Sequence, residues 1–177
     1  MLRPDTLSNI SFGVDAEKAE SAFYRIGQLL GYMCQRPDKE IRRGPDVLWC
    51  TASNKYILIE CKTEVLLDRK SISKSEAGQM EEHCAWFEAT YGEDTLFEPI
   101  LVIPTERLAK DAYFSHDTKV LKKEGLAKLK EQIRDFFKEF KKFDFSGLDA
   151  ELVNQKLGAH NLHNDNFIQK FVVAPQK

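Results

Sequence analysis

Cysteine is scarce in this chain, and no two cysteines stand close enough in sequence to suggest a paired site. The four cysteines are Cys34, Cys50, Cys61 and Cys84. Because they form no C-x-x-C spacing, neither a disulfide framework nor a structural zinc site on neighbouring thiolates is expected. His160 and His163 lack a nearby cysteine or second histidine pair, so a polar loop explains them better than zinc.

Long apolar runs are also missing, so no membrane-spanning segment is expected. The first residues, Met-Leu-Arg-Pro-Asp-Thr, lack the apolar core of a signal peptide. Hydrophobic residues make up 42% and charged residues 31%, a balance typical of a globular domain and too apolar for a disordered chain. We therefore expect a single domain over residues 1–177 that is cytoplasmic and has no membrane partner.

An excess of positive charge is absent too, because the formal net charge is −2. The net charge of the whole chain therefore does not indicate nucleic-acid binding. Residues 110–142, however, contain ten Lys and Arg against six Asp and Glu, which gives this segment a net charge of +4. This segment is either a phosphate-facing surface or a solvated helix face, and charge alone favours the second. Lys130, Arg134 and Lys138 would be its nucleic-acid-binding residues.

Hydrophobic periodicity predicts alternating helices and strands. The predicted helices cover about 15–32, 73–92, 125–143 and 148–157, and the predicted strands cover 46–50, 56–62 and 97–103, with a short extended piece near 35–41. Ser73 and Glu76 form the capping-box pattern that starts a helix. This order of elements predicts an α/β fold with a mixed central sheet.

The two strands at 46–50 and 56–62 bring charged side chains together. If the polar loop between them centres on Ser53, Asp46 lies opposite Glu60, and opposed Cβ atoms are about 4.5–5.5 Å apart. Lys62 follows Glu60 by one strand repeat and so lies on the same side. Two facing carboxylates repel each other unless a cation offsets them, and an oxygen-ligand site suits Mg²⁺ or Mn²⁺.

A Glu-x-Lys pair alone is usually a charge pair on a solvated face. Here Glu60 and Lys62 close an apolar strand, and Pro45-Asp46 falls at the facing register. This combination favours the metal-site interpretation over the charge pair.

Gly44-Pro45-Asp46, a hairpin, and then Glu60-Cys61-Lys62 at the end of an apolar strand resemble the motif of the PD-(D/E)XK nuclease superfamily. The resemblance implies a restriction-endonuclease-like αβββαβ core over about 15–105, with 106–177 as a C-terminal helical extension. It also implies that Asp46 and Glu60 bind the metal, that the Cys61 backbone carbonyl completes the metal shell, and that Lys62 is catalytic. The Cys61 side chain is expected in the core.

Members of this family commonly supply an acidic residue from the first helix, before a Leu-Gly pair. Glu20 stands eleven residues before Gly31 and is the expected metal ligand, with Glu17 the weaker choice. The family also places a polar residue on the helix after the Glu-x-Lys strand, which implies a site role for Gln79. Lys74 nearby is a further expected nucleic-acid contact.

The resemblance implies an Mg²⁺- or Mn²⁺-dependent endonuclease that hydrolyses phosphodiester bonds of DNA, in defence against foreign DNA or in repair. A helicase or other targeting protein is the expected partner, and the sequence also allows a homodimer. Two alternatives stay open. One is a non-catalytic module of the same fold that binds nucleic acid or protein. The other is an unrelated α/β domain that docks a protein through an aromatic helix, whose phenylalanines are Phe136, Phe137, Phe140, Phe143 and Phe145.

Overall fold

Five strands form one mixed sheet in this computed structural model, which describes residues 4–140 and 149–177. The strands are β1 (Met33–Gln35), β2 (Val47–Ala52), β3 (Lys55–Cys61), β4 (Leu96–Val102) and β5 (Lys119–Leu121). The helices are α1 (Pro4–Asn9), α2 (Ala16–Leu29), α3 (Pro37–Ile41), α4 (Lys74–Tyr91), α5 (Lys123–Phe140), α6 (Ala150–Ala159) and α7 (Asn164–Phe171). The predicted α/β class with a mixed sheet is confirmed.

The strands lie side by side in chain order, so the sheet has two kinds of neighbour pairing. The β1–β2 and β2–β3 pairs are antiparallel, whereas the β3–β4 and β4–β5 pairs are parallel. Helix α4 connects β3 to the parallel strand β4, as a crossover connection must. The predicted hairpin register is confirmed, because Leu48 faces Leu58 and Cys50 faces Tyr56.

Strand β3 is the central strand, and its side chains alternate between two hydrophobic cores. Ile57 and Ile59 point into the core shared with α2 and α5. Leu58 points into the core shared with α4. By the same alternation, Glu60 and Lys62 belong to the α4 side. The expectation that this strand is covered on both faces is confirmed.

Helix α2 approaches the sheet very closely at a glycine. A Cβ atom on Gly27 would lie 2.4 Å from the indole nitrogen of Trp49 and 2.5 Å from the sulfur of Cys34. That indole N–H donates a 3.2 Å hydrogen bond to the carbonyl oxygen of Phe23. The close packing of α2 on β2 sets the position of the α2 residues beside the end of the sheet.

Some predicted elements differ from the observed ones. The strand expected near 35–41 lies earlier, as β1, and is followed by α3, which begins at Pro37. Proline is favoured at the first helical position, where its missing N–H is not needed. The C-terminal extension is not only helical, because β5 adds a parallel strand to β4, and Val120 also pairs with Val173.

Helix α5 buries its apolar side within the domain. Leu129 and Ile133 are fully buried, and Phe136 and Phe140 are also buried. Phe143, Phe145 and the end of the predicted helix 125–143 lie outside the described residues. Phe136 and Phe140, which were considered for docking a protein partner, are therefore part of the hydrophobic core instead.

Among the helices of the described residues, none is long and apolar enough to cross a membrane.

Candidate active site

Asp46 is held at the start of β2 by its backbone and by a bond from the neighbouring strand. Gly44 has a φ of +84°, and a Cβ there would lie 2.6 Å from the ring of Trp86, so only glycine fits without strain. Asp46 Oδ2 accepts a 2.7 Å hydrogen bond from the backbone N–H of Cys61. This bond places the Asp46 carboxylate against the end of β3, where the register predicts it.

Glu60 and Lys62 form the centre of the cluster with a residue from α4. Glu60 is 1% exposed, and its Oε1 lies 2.8 Å from the Lys62 ammonium. The same ammonium donates a 2.7 Å hydrogen bond to Oε1 of Gln79. The Lys62 ammonium is therefore fixed between a carboxylate and an amide, and the predicted grouping of these three residues is present.

The position of Gln79 depends on how α4 begins. The Ser73 side chain accepts from the backbone N–H of Glu76, and the Glu76 side chain accepts from the backbone N–H of Ser73. Glu76 also forms a 2.6 Å ion pair with Arg69. The capping box thus fixes the first turn of α4. Gln79 lies in the next turn and contacts Lys62 at the end of β3.

His83, four residues after Gln79 on α4, also joins the cluster. Its Nε2 atom lies 3.1 Å from Oε2 of Glu60. This is an ion-pair distance, although neither of the two buried atoms has a hydrogen bond of good geometry within the described part of the chain. The available sequence signal was spacing, because residues four apart share one side of a helix.

The carboxylates of the cluster have opposite pKa shifts. Burial, followed by the negative charge of Glu60, raises the pKa of Asp46 to about 8, and Glu20 adds to this rise. Burial also acts to raise the pKa of Glu60, but His83 and Lys62 more than offset burial and leave this pKa below its ordinary value. Burial, and then the charge of Glu60, therefore keep the Asp46 carboxyl largely protonated at neutral pH in the metal-free site.

Burial acts to lower the pKa of Lys62, but the charge of Glu60 and the contact with it outweigh burial and raise this pKa. The ammonium is thus charged at neutral pH. A cation held in this way is suited to interact with an anionic substrate.

Glu20 is buried on α2 and pairs with two cations. Its Oε2 lies 2.6 Å from the Arg36 guanidinium and 3.5 Å from the Lys39 ammonium. Glu17 contacts the same two cations, at 2.8 Å and 3.0 Å, but its side chain is 55% exposed. Glu20 is therefore the better buried of the two acidic residues, as predicted. In the structure its carboxylate forms an ion pair with Arg36.

No three His, Cys, Asp or Glu side chains stand together as a complete metal site in residues 4–140 and 149–177. The donor set nevertheless fits a hard divalent cation. Glu60 Oε2 is a buried carboxylate oxygen without a hydrogen bond from any described residue, and Asp46 and Glu20 add further carboxylate oxygens to the same charged region. Cys61 turns its side chain into the opposite core, as predicted.

The predicted nucleic-acid-binding residues are spread over two helices. Lys74 is exposed in the first turn of α4. Lys130 donates a 2.8 Å hydrogen bond to the Ser11 hydroxyl, Arg134 is exposed, and Lys138 pairs with Asp135 at 2.8 Å.

Lys130 borders a cavity of about 210 Å³ that is also lined by Leu67. Leu67 lies in the loop that follows Lys62, so this cavity joins α5 to that loop. Arg134 and Lys138 lie further along α5, one and two turns beyond Lys130.

No protein-family model matches this chain, and comparisons with curated proteins and with solved structures find no match. The chemistry of the site residues is therefore the guide to its function.

Proposed function

We propose that this chain is a metal-dependent nuclease with a restriction-endonuclease-like fold of the PD-(D/E)XK type, and that it hydrolyses phosphodiester bonds of DNA. The observation that carries this proposal is the group formed by Asp46, Glu60 and Lys62 at one end of the β2–β3 hairpin. In that group a buried carboxylate oxygen of Glu60 has no hydrogen-bond partner among the described residues.

Asp46, Glu60 and Glu20 would hold Mg²⁺ or Mn²⁺, with the Cys61 backbone carbonyl as a further oxygen ligand. When bound, such an ion supplies a Lewis acid for the phosphate and a lowered pKa for the attacking water. The raised pKa of Asp46 supports this role, because a bound cation would favour the charged carboxylate that burial, and then the charge of Glu60, disfavour.

Lys62 would contact the scissile phosphate directly. Its ammonium is held by Glu60 and Gln79, so it meets the phosphate in a fixed position and stabilises the negative charge that develops there. Gln79 acts through Lys62 as a positioning residue. Water loses a proton to solvent and attacks phosphorus, the bond from phosphorus to the 3′ oxygen breaks, and that oxygen takes up a proton from solvent, which leaves a 5′-phosphate and a 3′-hydroxyl.

A non-catalytic module of the same fold is the alternative. Such a module binds its partner without hydrolysis and has no need for opposed, buried carboxylates, which cost folding free energy. The cluster around Glu60 therefore favours the enzyme. Defence against foreign DNA or repair, together with a helicase or another targeting protein, is the setting we propose, because the net charge of −2 offers little DNA affinity by itself.

The test is incubation of linear duplex, circular duplex and single-stranded DNA, and of RNA, with the chain in Mg²⁺ or Mn²⁺. We expect cleavage of DNA, no cleavage with a chelator, and no cleavage by the variant Lys62→Ala. Lys55→Ala is the matched control, because Lys55 lies on the same strand but pairs with Asp165 at its other end. Metal binding without cleavage of any substrate would favour the non-catalytic module.

A further inference from the structure

One pair of buried atoms at the site is close together and yet forms no hydrogen bond. Glu60 Oε2 and His83 Nε2 are 3.1 Å apart, and each lacks a hydrogen-bond partner within the described ranges. A buried polar atom left without a partner costs about 1–3 kcal/mol, and most such atoms in proteins are paired. The partner that completes such a pair is either the other side chain, as an ion pair, or a cation that both atoms bind.

The distance between the two atoms can be compared with the spacing of two ligands on one metal ion. Metal–ligand bonds to oxygen or imidazole nitrogen are about 2.0–2.2 Å long. Two neighbouring ligands at 90° on an octahedral ion are then about 3.0 Å apart by geometry. The observed 3.1 Å is the distance expected for two adjacent ligands of one ion, and a direct ion pair between the two side chains gives a similar distance.

The rest of the cluster holds both groups in this arrangement. Lys62 occupies Oε1 of Glu60 at 2.8 Å, which leaves Oε2 as the oxygen on the His83 side. His83 stands on the rigid helix α4, four residues after Gln79, and its side chain is 13% exposed. Glu60 itself is 1% exposed. Neither group needs to move far to bind an ion between them.

We propose that His83 Nε2 is a metal ligand beside Glu60 Oε2, and that this nitrogen makes the site select Mn²⁺ or a similar nitrogen-accepting ion over Mg²⁺. The inference rests on the proposed nuclease site and names its cofactor class. Imidazole is a good ligand for first-row transition ions, whereas Mg²⁺ takes oxygen ligands almost exclusively. Asp46 and water molecules fill the remaining ligand positions.

Pulsed electron paramagnetic resonance of Mn²⁺ bound to the full chain tests this directly, because a ligating histidine couples its ¹⁴N nucleus to the electron spin. We expect this coupling in the unaltered protein and in the control His163→Gln, whose ring contacts the Asn154 carbonyl far from the site. The coupling should be absent in His83→Gln. Its absence from the unaltered protein overturns the proposal, whether or not any variant folds.

Calorimetry without DNA provides the second readout. Loss of a group that only supports a metal ligand already weakens affinity by about 10–100-fold, so loss of a ligand in His83→Gln should cost at least about tenfold in Mn²⁺ affinity while its Mg²⁺ affinity changes little. The exposed neighbour variant Glu82→Gln should bind both ions as the unaltered protein does. An equal loss for both ions means that His83 only positions Glu60, which contradicts the proposal.

These measurements test the histidine ligand and the nuclease activity independently of each other. Nitrogen coupling without DNA cleavage supports the histidine ligand and counts against the nuclease. DNA cleavage without nitrogen coupling supports the nuclease and overturns the histidine ligand.

Discussion

Replacement of Asp46 by asparagine should stabilise the metal-free protein, and the gain should depend on pH. The Asp46 carboxyl has a pKa of about 8, against an ordinary value of 3.8, because of burial and then the charge of Glu60. Asparagine keeps the shape and can still accept the hydrogen bond from the backbone N–H of Cys61. It removes the ionisable group and with it the cost of placing that charge in the site.

The sign is set by proton binding. Between pH 3.8 and about 8 the folded protein keeps a proton on Asp46 that the unfolded chain releases, so stability falls as pH rises through this window. One proton corresponds to about 1.4 kcal/mol per pH unit, which gives about 4 kcal/mol at pH 7. The free energy of unfolding of Asp46→Asn minus that of the unaltered protein should therefore rise by about this amount from pH 4 to pH 7.

Urea unfolding at several pH values from 4 to 8, with a chelator present, measures this difference. Titrating groups far from the site are shared by both proteins and cancel in the difference, whereas the coupling of Asp46 to Glu60 is part of the measured effect. Asp111→Asn, at an exposed position, is the control and should show no pH-dependent difference. A flat difference for Asp46→Asn, or one that falls as pH rises, would refute the reasoning, and Mg²⁺ or Mn²⁺ should shrink the gain by stabilising only the unaltered protein.

Two further predictions concern the helices that flank the hairpin. Glu20→Ala should weaken metal binding in calorimetry by about tenfold or more, whereas Glu17→Ala should have little effect, since Glu17 is largely exposed. Equal, mild effects would mean that α2 contributes no ligand. Reversal of Lys130, Arg134 and Lys138 to glutamate should weaken binding of all DNA sequences alike and flatten the dependence of log affinity on log salt. An unchanged slope would mean that α5 does not contact the substrate, and it leaves the nuclease proposal intact.

Much of the centre of the fold and of the site could be predicted because the signals are local. The hairpin register is determined by strand alternation and a short turn, and it alone places Asp46 at the Glu60 end of β3. The start of α4 could be predicted because Ser73 and Glu76 form a capping box. That helix start then brings Gln79 to Lys62, as the resemblance implies.

Contacts between distant segments left little trace in the sequence. The pairing of Glu20 with Arg36 joins α2 to the end of β1, and no spacing rule links these positions. Strand β5 is only three residues long, and it is specified by its position beside β4 and by Val173 rather than by a run of its own. His83 could have been found from its helix side, but its distance to Glu60 required coordinates.

The most direct test of the nuclease proposal is the single-turnover rate of cleavage of one labelled DNA in saturating Mn²⁺. The unaltered protein, Lys62→Met and the same-strand control Lys55→Met should be compared at equal, verified DNA binding. Loss of a fixed group that stabilises developing charge typically costs about 100–1,000-fold in rate. We predict a loss of that size for Lys62→Met and an unchanged rate for Lys55→Met, whereas equal rates for all three proteins would contradict the proposed site.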